Sequence, residues 1–143
     1  EPIKSRDQIK KESLSEIDFK NKKILVVDDE ESNRQLINLF LTKYGIRIDF
    51  CDNGRDAIDM VMENRYDLVL MDIQMPEIDG VQAIKAIREQ EKLLEVAESK
   101  VYAFTANVFK EQLDEYRAHG SNGHLLKPFK KVELIEFSGQ NLA

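Results

Sequence analysis

Five short apolar runs, each followed by a segment with helical spacing, constrain the fold of this chain most strongly. In chain order the runs are KILVV from Lys23, Ile46–Cys51, Leu68–Met71, Val101–Phe104 and His124–Leu126. Strands that are separated by segments of helix length pair in parallel, because a parallel pair needs a crossover of a dozen or more residues. Such crossovers are right-handed. The order therefore predicts an α/β fold with five parallel strands.

Apolar residues between these runs recur at helical spacing. We predict helices over Ser32–Tyr44, Ala57–Asn64, Val81–Gln90, Phe109–His119 and Lys130–Phe137. Gly45 suits the end of the first helix. Asn53-Gly54 indicates a turn, EKLLEVAES a helix tail with a loop, and SGQNLA an early end to the last helix.

The bulk properties exclude several classes of protein. A chain of 143 residues fits one domain with a proper core. Its net charge of −6 disfavours direct binding of nucleic acid, and no apolar run approaches the roughly 20 residues of a membrane span. Cys51 is predicted to be a buried or half-buried inert thiol, because neither histidine is placed by the sequence to serve as its base.

The first part of the chain differs from the rest. Residues 1–21 are polar and highly charged, and their apolar residues follow no sustained period. We interpret residues 1–21 as a linker or N-terminal extension and residues 22–143 as the folded domain. Because the chain begins with Glu1 instead of Met, we expect it to be a fragment of a longer protein or a processed one.

Charged and hydroxyl side chains follow four of the apolar runs. Asp28 and Asp29 come directly after ILVV, Asp72 after DLVLM, Thr105 after VYAF, and Lys127 after HLL. Ligands of open α/β sheets bind outside the carboxyl ends of the strands, so we expect these side chains to converge there. Three carboxylates in one pocket repel one another and require a divalent cation or a proton. Their hard oxygen atoms favour Mg²⁺.

Structural interpretations compete with this chemistry at some positions. Asp28 or Asp29 could cap the following helix, for which Ser32 is another candidate, and capping is compatible with metal binding. Thr105 could equally well cap the helix that follows it.

Asp72 and Lys127 are harder to explain structurally. The loop after Asp72 has its own turn residues, Pro76 and Asp79-Gly80, and a carboxylate can attack a phosphoryl group. Such an attack requires metal, lysine and hydroxyl groups that neutralise the phosphate charge. Lys127 is held between Leu-Leu and Pro-Phe, and a cis bond to Pro128 would turn it toward the carboxylates.

The segments ILVVDDEESNRQLI, DLVLMDIQMPEIDG, VYAFTANV and LLKPF together resemble the receiver domain of a two-component response regulator, from about Lys22 to Phe137. This resemblance implies a doubly wound, flavodoxin-like (βα)5 fold with strand order 2-1-3-4-5. It implies that Asp72 is the phosphoacceptor. It further implies that Asp28, Asp29 and the backbone carbonyl of Gln74 ligate Mg²⁺ together with Asp72, and that Thr105 and Lys127 contact the phosphoryl group.

The segments DDEESN and MDIQMPEIDG are most similar to those of receiver domains in hybrid sensor histidine kinases. The resemblance implies a phosphohistidine donor on a histidine kinase or a histidine phosphotransfer domain. We expect a cytoplasmic domain without nucleic-acid or membrane contacts, whose parent could be membrane-anchored. The short last helix favours a monomer or weak dimer. The alternatives are a stand-alone response regulator, an Mg²⁺-dependent aspartyl-phosphate phosphohydrolase and a pseudo-receiver that only binds partners.

One position departs from the family pattern. Receivers usually carry an aromatic residue three positions before the lysine, and here that position is His124. His124 is interpreted as a surface residue on a short edge strand, or as a modified switch that couples to Thr105 and could respond to pH. His119 lies near a helix end, where a cation offsets the dipole, and is assigned no catalytic role. Gln74 and Asn107 flank the site and could influence access of the hydrolytic water.

Overall fold

One sheet of five parallel strands, in the order β2-β1-β3-β4-β5, forms the centre of the molecule. The strands are β1 (Lys23–Val27), β2 (Arg47–Cys51), β3 (Leu68–Asp72), β4 (Val101–Thr105) and β5 (Gly123–Leu126). They belong to a computed structural model that describes residues 20–106, 109–127 and 131–142. The predicted strands and their order are confirmed.

Helices connect the strands and cover both faces of the sheet. They are α1 (Glu31–Leu41), α2 (Gly54–Asn64), α3 (Gly80–Leu93), α4 (Lys110–Ala118) and α5 (Lys131–Leu142). A 3₁₀ turn over Thr42–Tyr44 extends α1, and Gly45 ends it with a φ of 81°, which favours glycine. Within the described part of the chain, no helix has both the length and the apolar character to cross a membrane.

Side chains alternate between the two faces along each strand, and each face has its own core. Leu25, Val69 and Ala103 pack toward α2, α3 and α4. Ile24, Leu70 and other residues on the opposite face pack toward α1 and α5. All of these strand residues are fully buried, which explains why the central strands are apolar throughout.

The last helix is longer than the sequence predicted, and an early end at SGQNLA is wrong. α5 continues through Ser138 and Gly139 to Leu142. The Ser138 hydroxyl donates a hydrogen bond to the Leu134 carbonyl of the same helix. Leu142 is buried in the core, with 3% of its surface exposed. Burial of the final turn outweighs the weak helix propensity of serine and glycine. The argument against a dimer, which rested on a short last helix, therefore falls.

Two further local predictions need correction. Asn53-Gly54 is not a separate turn, because Asn53 is the N-cap of α2 and its Oδ1 accepts from the Asp56 N–H at 2.8 Å. Ser32 lies inside α1, whose N-cap is Glu30. The other helices match their predicted segments to within a few residues at each end.

Some predictions concern residues outside the described ones. The linker assignment for residues 1–21 falls mainly on residues 1–19, and the division before residue 22 therefore stays a prediction. The suggested cis bond to Pro128 and the flanking role of Asn107 also fall on residues that are not described.

A buried carboxylate fastens the amino ends of the strands. Glu91, at 1% exposure, accepts hydrogen bonds from the Ser99 N–H at 2.7 Å, from Arg88 at 2.7 Å and from Arg65 at 3.1 Å. Burial alone would raise the pKa of Glu91, but these hydrogen bonds outweigh it and lower the pKa. Arg88 also donates to the Gly120 carbonyl at 2.9 Å. The network ties α3 to the segments that lead into β3, β4 and β5.

Glu91→Ala should lower the free energy of unfolding by about 3 kcal/mol, because it leaves two guanidinium groups and Ser99 without their shared acceptor. Urea denaturation measures the change. Glu89→Ala, an exposed position on the same helix, is the matched control and should change stability by less than about 0.5 kcal/mol. Equal effects of the two substitutions would contradict this role of Glu91.

Candidate functional site

Three carboxylates meet at the carboxyl ends of β1 and β3. One oxygen from each of Asp28, Asp29 and Asp72 lies within 4.8 Å of the other two. Asp28 is fully buried and Asp72 is 3% exposed, whereas Asp29 faces solvent. The parallel register, which pairs Val27 with Met71, brings the two strand ends level. The cluster is thus a direct result of neighbouring strands that end at the same height.

Lys127 bridges the two buried carboxylates. Its ammonium lies 3.0 Å from Asp28 Oδ2 and 3.2 Å from Asp72 Oδ1. The Lys127 N–H donates to the Thr105 carbonyl at 2.8 Å, which continues the pairing of β5 with β4. The ammonium also stands 4.6 Å above the centre of the Phe104 ring. The backbone hydrogen bond and the cation–π contact with Phe104 hold the Lys127 ammonium between the two carboxylates.

The chain folds back tightly after Asp72, and the helix that follows, α3, has its own N-cap residue. The Gln74 N–H donates to Asp72 Oδ1 at 3.0 Å, and Asp79 caps α3 in a reciprocal capping box with Gln82. A side chain on Gly80 would place its Cβ 2.2 Å from the Asp72 carbonyl oxygen, so only glycine allows this close approach. The contact from Gln74 to Asp72 is an Asx turn, so Asp72 takes part in the start of this loop, whereas Asp79 and Gly80 shape its end.

Thr105 is the last residue of β4 and is 1% exposed. It does not cap the next helix, because the N-cap of α4 is Phe109. Similarly, neither Asp28 nor Asp29 is the N-cap of α1, although Asp28 Oδ1 accepts from the Glu30 N–H at 2.9 Å. The capping interpretations of these residues are wrong, and their functional roles stay predictions.

His124 lies half-buried on β5, an edge strand, where it pairs with Ala103. This position agrees with an edge-strand residue, and a switch role with Thr105 stays a prediction. His119 ends α4, with its ring 3.7 Å from Glu115. Cys51 is buried, and burial raises the pKa of its thiol, as expected for an inert cysteine.

Burial raises the pKa of Asp72 to about 6, against the opposing pull of Lys127, and the Asp28 carboxylate adds to the rise. One ammonium is thus insufficient to compensate the buried charge. An open cleft of about 390 Å³ borders the cluster and is lined by Asp29, Asp72, Gln74 and Lys127 among others. Convergent carboxylates with excess negative charge and room for water are the donor set that Mg²⁺ prefers, so these residues fit the ion.

Sequence reasoning did not assign Glu30, Asn33 and Arg34. Asn33 Nδ2 lies 3.2 Å from Asp28 Oδ2 and 3.3 Å from Glu30 Oε2. Arg34 Nη1 donates to the Asp28 backbone carbonyl at 2.6 Å. The only available signal was the position of all three directly after the acidic pair, in DDEESNR.

Asp72→Asn should stabilise the Mg²⁺-free protein near neutral pH. Between pH 3.8 and about 6 the folded chain binds more protons at Asp72 than the unfolded chain, so this carboxylate reduces stability as the pH rises through that window. Removing its charge should raise the free energy of unfolding by about 1–3 kcal/mol at about pH 7 and by progressively less toward about pH 4.

Urea denaturation of the chelator-treated protein at both pH values measures this difference. Asp59→Asn is the matched control, since Asp59 is exposed on α2 and should have an effect of less than about 0.5 kcal/mol. If Asp72→Asn were less stable than wild type near neutral pH, the ionised Asp72 carboxylate would not be destabilising as expected.

Comparisons with known proteins agree with this geometry. The family model for the response regulator receiver domain matches residues 24–137. The chain is 33% identical over 135 residues to the autoinducer 2 sensor kinase/phosphatase LuxQ of Vibrio harveyi, covering 94% of the chain and 15% of LuxQ. It is 37% identical over 117 residues to hybrid signal transduction histidine kinase L of Dictyostelium discoideum, covering 80% of the chain and 7% of that kinase. The chain thus spans a small part of these relatives.

Two solved structures are similar in fold. The receiver domain of the sensor histidine kinase PA1611 from Pseudomonas aeruginosa PAO1, with a magnesium ion in its active-site cleft, has a TM-score of 0.73 and 32% identity, over 85% of this chain and 97% of that one. The co-crystal of the Saccharomyces cerevisiae phosphotransfer protein Ypd1 with the receiver domain of Ssk1 contains a chain with a TM-score of 0.77 and 28% identity, over 86% of this chain and 88% of that one.

Strand order, the acidic cluster with its bridging lysine and the match over residues 24–137 lead to one conclusion. This chain belongs to the response regulator receiver domain family of two-component signalling and is close to the receivers of hybrid histidine kinases.

Proposed function

We propose that Asp72 accepts a phosphoryl group from a phosphohistidine in an Mg²⁺-dependent reaction, and that the domain is part of a hybrid histidine kinase. The observation that carries this proposal is the position of the Asp72 carboxylate. It is buried but opens onto the cleft, and Lys127 lies 3.2 Å from its Oδ1. A carboxylate so placed can act as a nucleophile beside a fixed cation.

In the transfer itself, an Asp72 oxygen forms a bond to phosphorus while the bond from phosphorus to the donor imidazole nitrogen breaks. The electron pair of that bond returns to the imidazole. The described contacts to Asp72, from the Gln74 N–H and from Lys127, are both at Oδ1, so Oδ2 is the oxygen that would attack. Mg²⁺ held by Asp28, Asp29, Asp72 and the Gln74 carbonyl would neutralise charge on the phosphoryl oxygens.

Lys127 and Thr105 would then hold the product. The Lys127 ammonium needs to move only slightly, because it already contacts the acceptor carboxylate. Thr105 stands at the end of β4, next to Ala106 in the cleft wall, and its hydroxyl would donate to an oxygen of the added phosphoryl group. These contacts would favour one conformation of a pre-existing equilibrium. The change would alter the face formed by β4, β5 and the neighbouring helices, and His124 would take part in it as a modified switch residue.

The proposed donor is a histidine kinase or a histidine phosphotransfer domain. Two relatives support this choice by their names, a sensor kinase/phosphatase and a hybrid histidine kinase. A similar chain occurs in a complex with the phosphotransfer protein Ypd1. The described residues include the acidic pair, the acceptor and the lysine, which disfavours a pseudo-receiver.

Incubation with acetyl phosphate and Mg²⁺ should add one phosphoryl group per chain, detected by intact-protein mass spectrometry. Asp72→Asn should show no adduct, because the variant lacks the attacking oxygen anion, and Asp59→Asn should behave as wild type. Omission of Mg²⁺ should slow the reaction by at least about tenfold. A wild-type chain without an adduct, or an adduct that persists in Asp72→Asn, would rule the proposal out. Continuous turnover of small phosphate esters would instead favour a phosphohydrolase.

A further inference from the structure

The face of the Phe104 ring lies against the Lys127 ammonium. Lys127 Nζ stands 4.6 Å from the centre of the ring, within the distance at which an aromatic face attracts a cation. Phe104 is fully buried in the core, on the same side of the sheet as Ile24 and Leu70. It pairs with Asp72 in the register of β3 with β4, and Lys127 directly follows β5. The ring therefore belongs to the strand that separates the acceptor from the lysine.

Two carboxylates of the candidate metal site also hold the Lys127 ammonium. They are Asp28, whose Oδ2 lies at 3.0 Å, and Asp72, whose Oδ1 lies at 3.2 Å. With Asp29 they form the cluster of three carboxylates that fits Mg²⁺. Three carboxylates exceed one ammonium by two negative charges, and this excess attracts the lysine side chain. In the Mg²⁺-bound site the excess would be cancelled, and the lysine would share its carboxylates with a second cation that repels it.

The attraction of the Phe104 ring does not depend on that excess of negative charge. It arises from the electron-rich face of the ring, which a metal ion on the carboxylates neither neutralises nor occupies. The ring is fully buried, whereas 19% of the Lys127 side chain is exposed, so that water is the alternative environment of the ammonium. Of the described partners of this ammonium, Phe104 is thus the one whose attraction survives in the Mg²⁺-bound site.

We propose that Phe104 is a positioning residue, which keeps the Lys127 ammonium beside Asp72 in the Mg²⁺-bound site before the phosphoryl group arrives. The inference rests on the proposed function, in which Lys127 pairs with that group. A lysine that is held in advance loses less conformational freedom when it engages the phosphoryl group, so the reaction proceeds faster. Phe104 thereby raises the rate of phosphorylation through Lys127, without contacting the reacting atoms itself.

A purely structural role for Phe104 makes a different prediction. A fully buried ring fills space in the core between the sheet, α1 and α5. In that role the shape of the ring matters and its charge distribution does not. Substitution by a smaller residue would not separate the two roles, because a cavity in the core disturbs the site in either case.

The test changes the charge distribution of the Phe104 ring and keeps its shape nearly constant. Phenylalanine with one, two or three fluorine atoms replaces Phe104 by nonsense suppression, since each fluorine withdraws electron density from the ring face and weakens its attraction for a cation. Intact-protein mass spectrometry measures the initial rate of phosphorylation by acetyl phosphate at saturating Mg²⁺, and calorimetry measures the affinity for Mg²⁺ alone. The same analogues at Phe137, whose ring meets Tyr102 edge-on with ring centres 4.8 Å apart, are the matched control.

We expect the phosphorylation rate to fall progressively with fluorination of Phe104, by at least about fivefold for the trifluorinated ring. Mg²⁺ affinity should stay within about twofold of wild type or increase, because a lysine released from the ring repels the metal ion less. The Phe137 analogues should match wild type in both measurements. A rate that is independent of fluorination, or a parallel loss of rate and Mg²⁺ affinity, would overturn the role of Phe104. A wild-type chain that is not phosphorylated at all would instead overturn the proposed function.

Discussion

The ammonium of Lys127, between the buried carboxylates of Asp28 and Asp72, is the interaction on which the site depends. Two carboxylates in the interior repel each other, and a single cation at 3.0 and 3.2 Å reduces that repulsion without removing it. The lysine reaches this place only because β5 pairs with β4 and β4 pairs with β3. The pairing of β3, β4 and β5 therefore sets the position of the Lys127 ammonium.

The remaining imbalance links stability to function. Burial keeps the pKa of Asp72 raised to about 6, so the ionised Asp72 carboxylate destabilises the metal-free chain at neutral pH. A cation bound at this cluster would offset the excess negative charge and so stabilise the folded chain. At the amino ends of the strands, the buried Glu91 carboxylate is held by Arg88, by Arg65 and by the Ser99 N–H.

Where the local signal and the tertiary contacts agree, sequence reasoning succeeded. The apolar runs at β1, β3 and β4 are buried on both faces, so their composition alone identifies them. It failed where contacts distant in sequence decide the outcome. α5 continues past Gly139 because Leu142 enters the core, and Asn53 begins a helix instead of a turn. Asn33 escaped notice because an asparagine in a polar helix start is ordinary until the Asp28 carboxylate is seen beside it.

The sequence by itself determined the repeating βα order, the parallel pairing and the placement of acids, hydroxyl and lysine at strand ends, because each follows from local composition and chain length. Only the tertiary structure decided which charges touch. Lys127 shares Asp28 Oδ2 with Asn33 because the segments after β1 and β5 and the start of α1, which are far apart along the chain, end at the same place in the fold. Periodicity carries no information on such distances, since a charge acts through the few ångströms to its partner and through its burial.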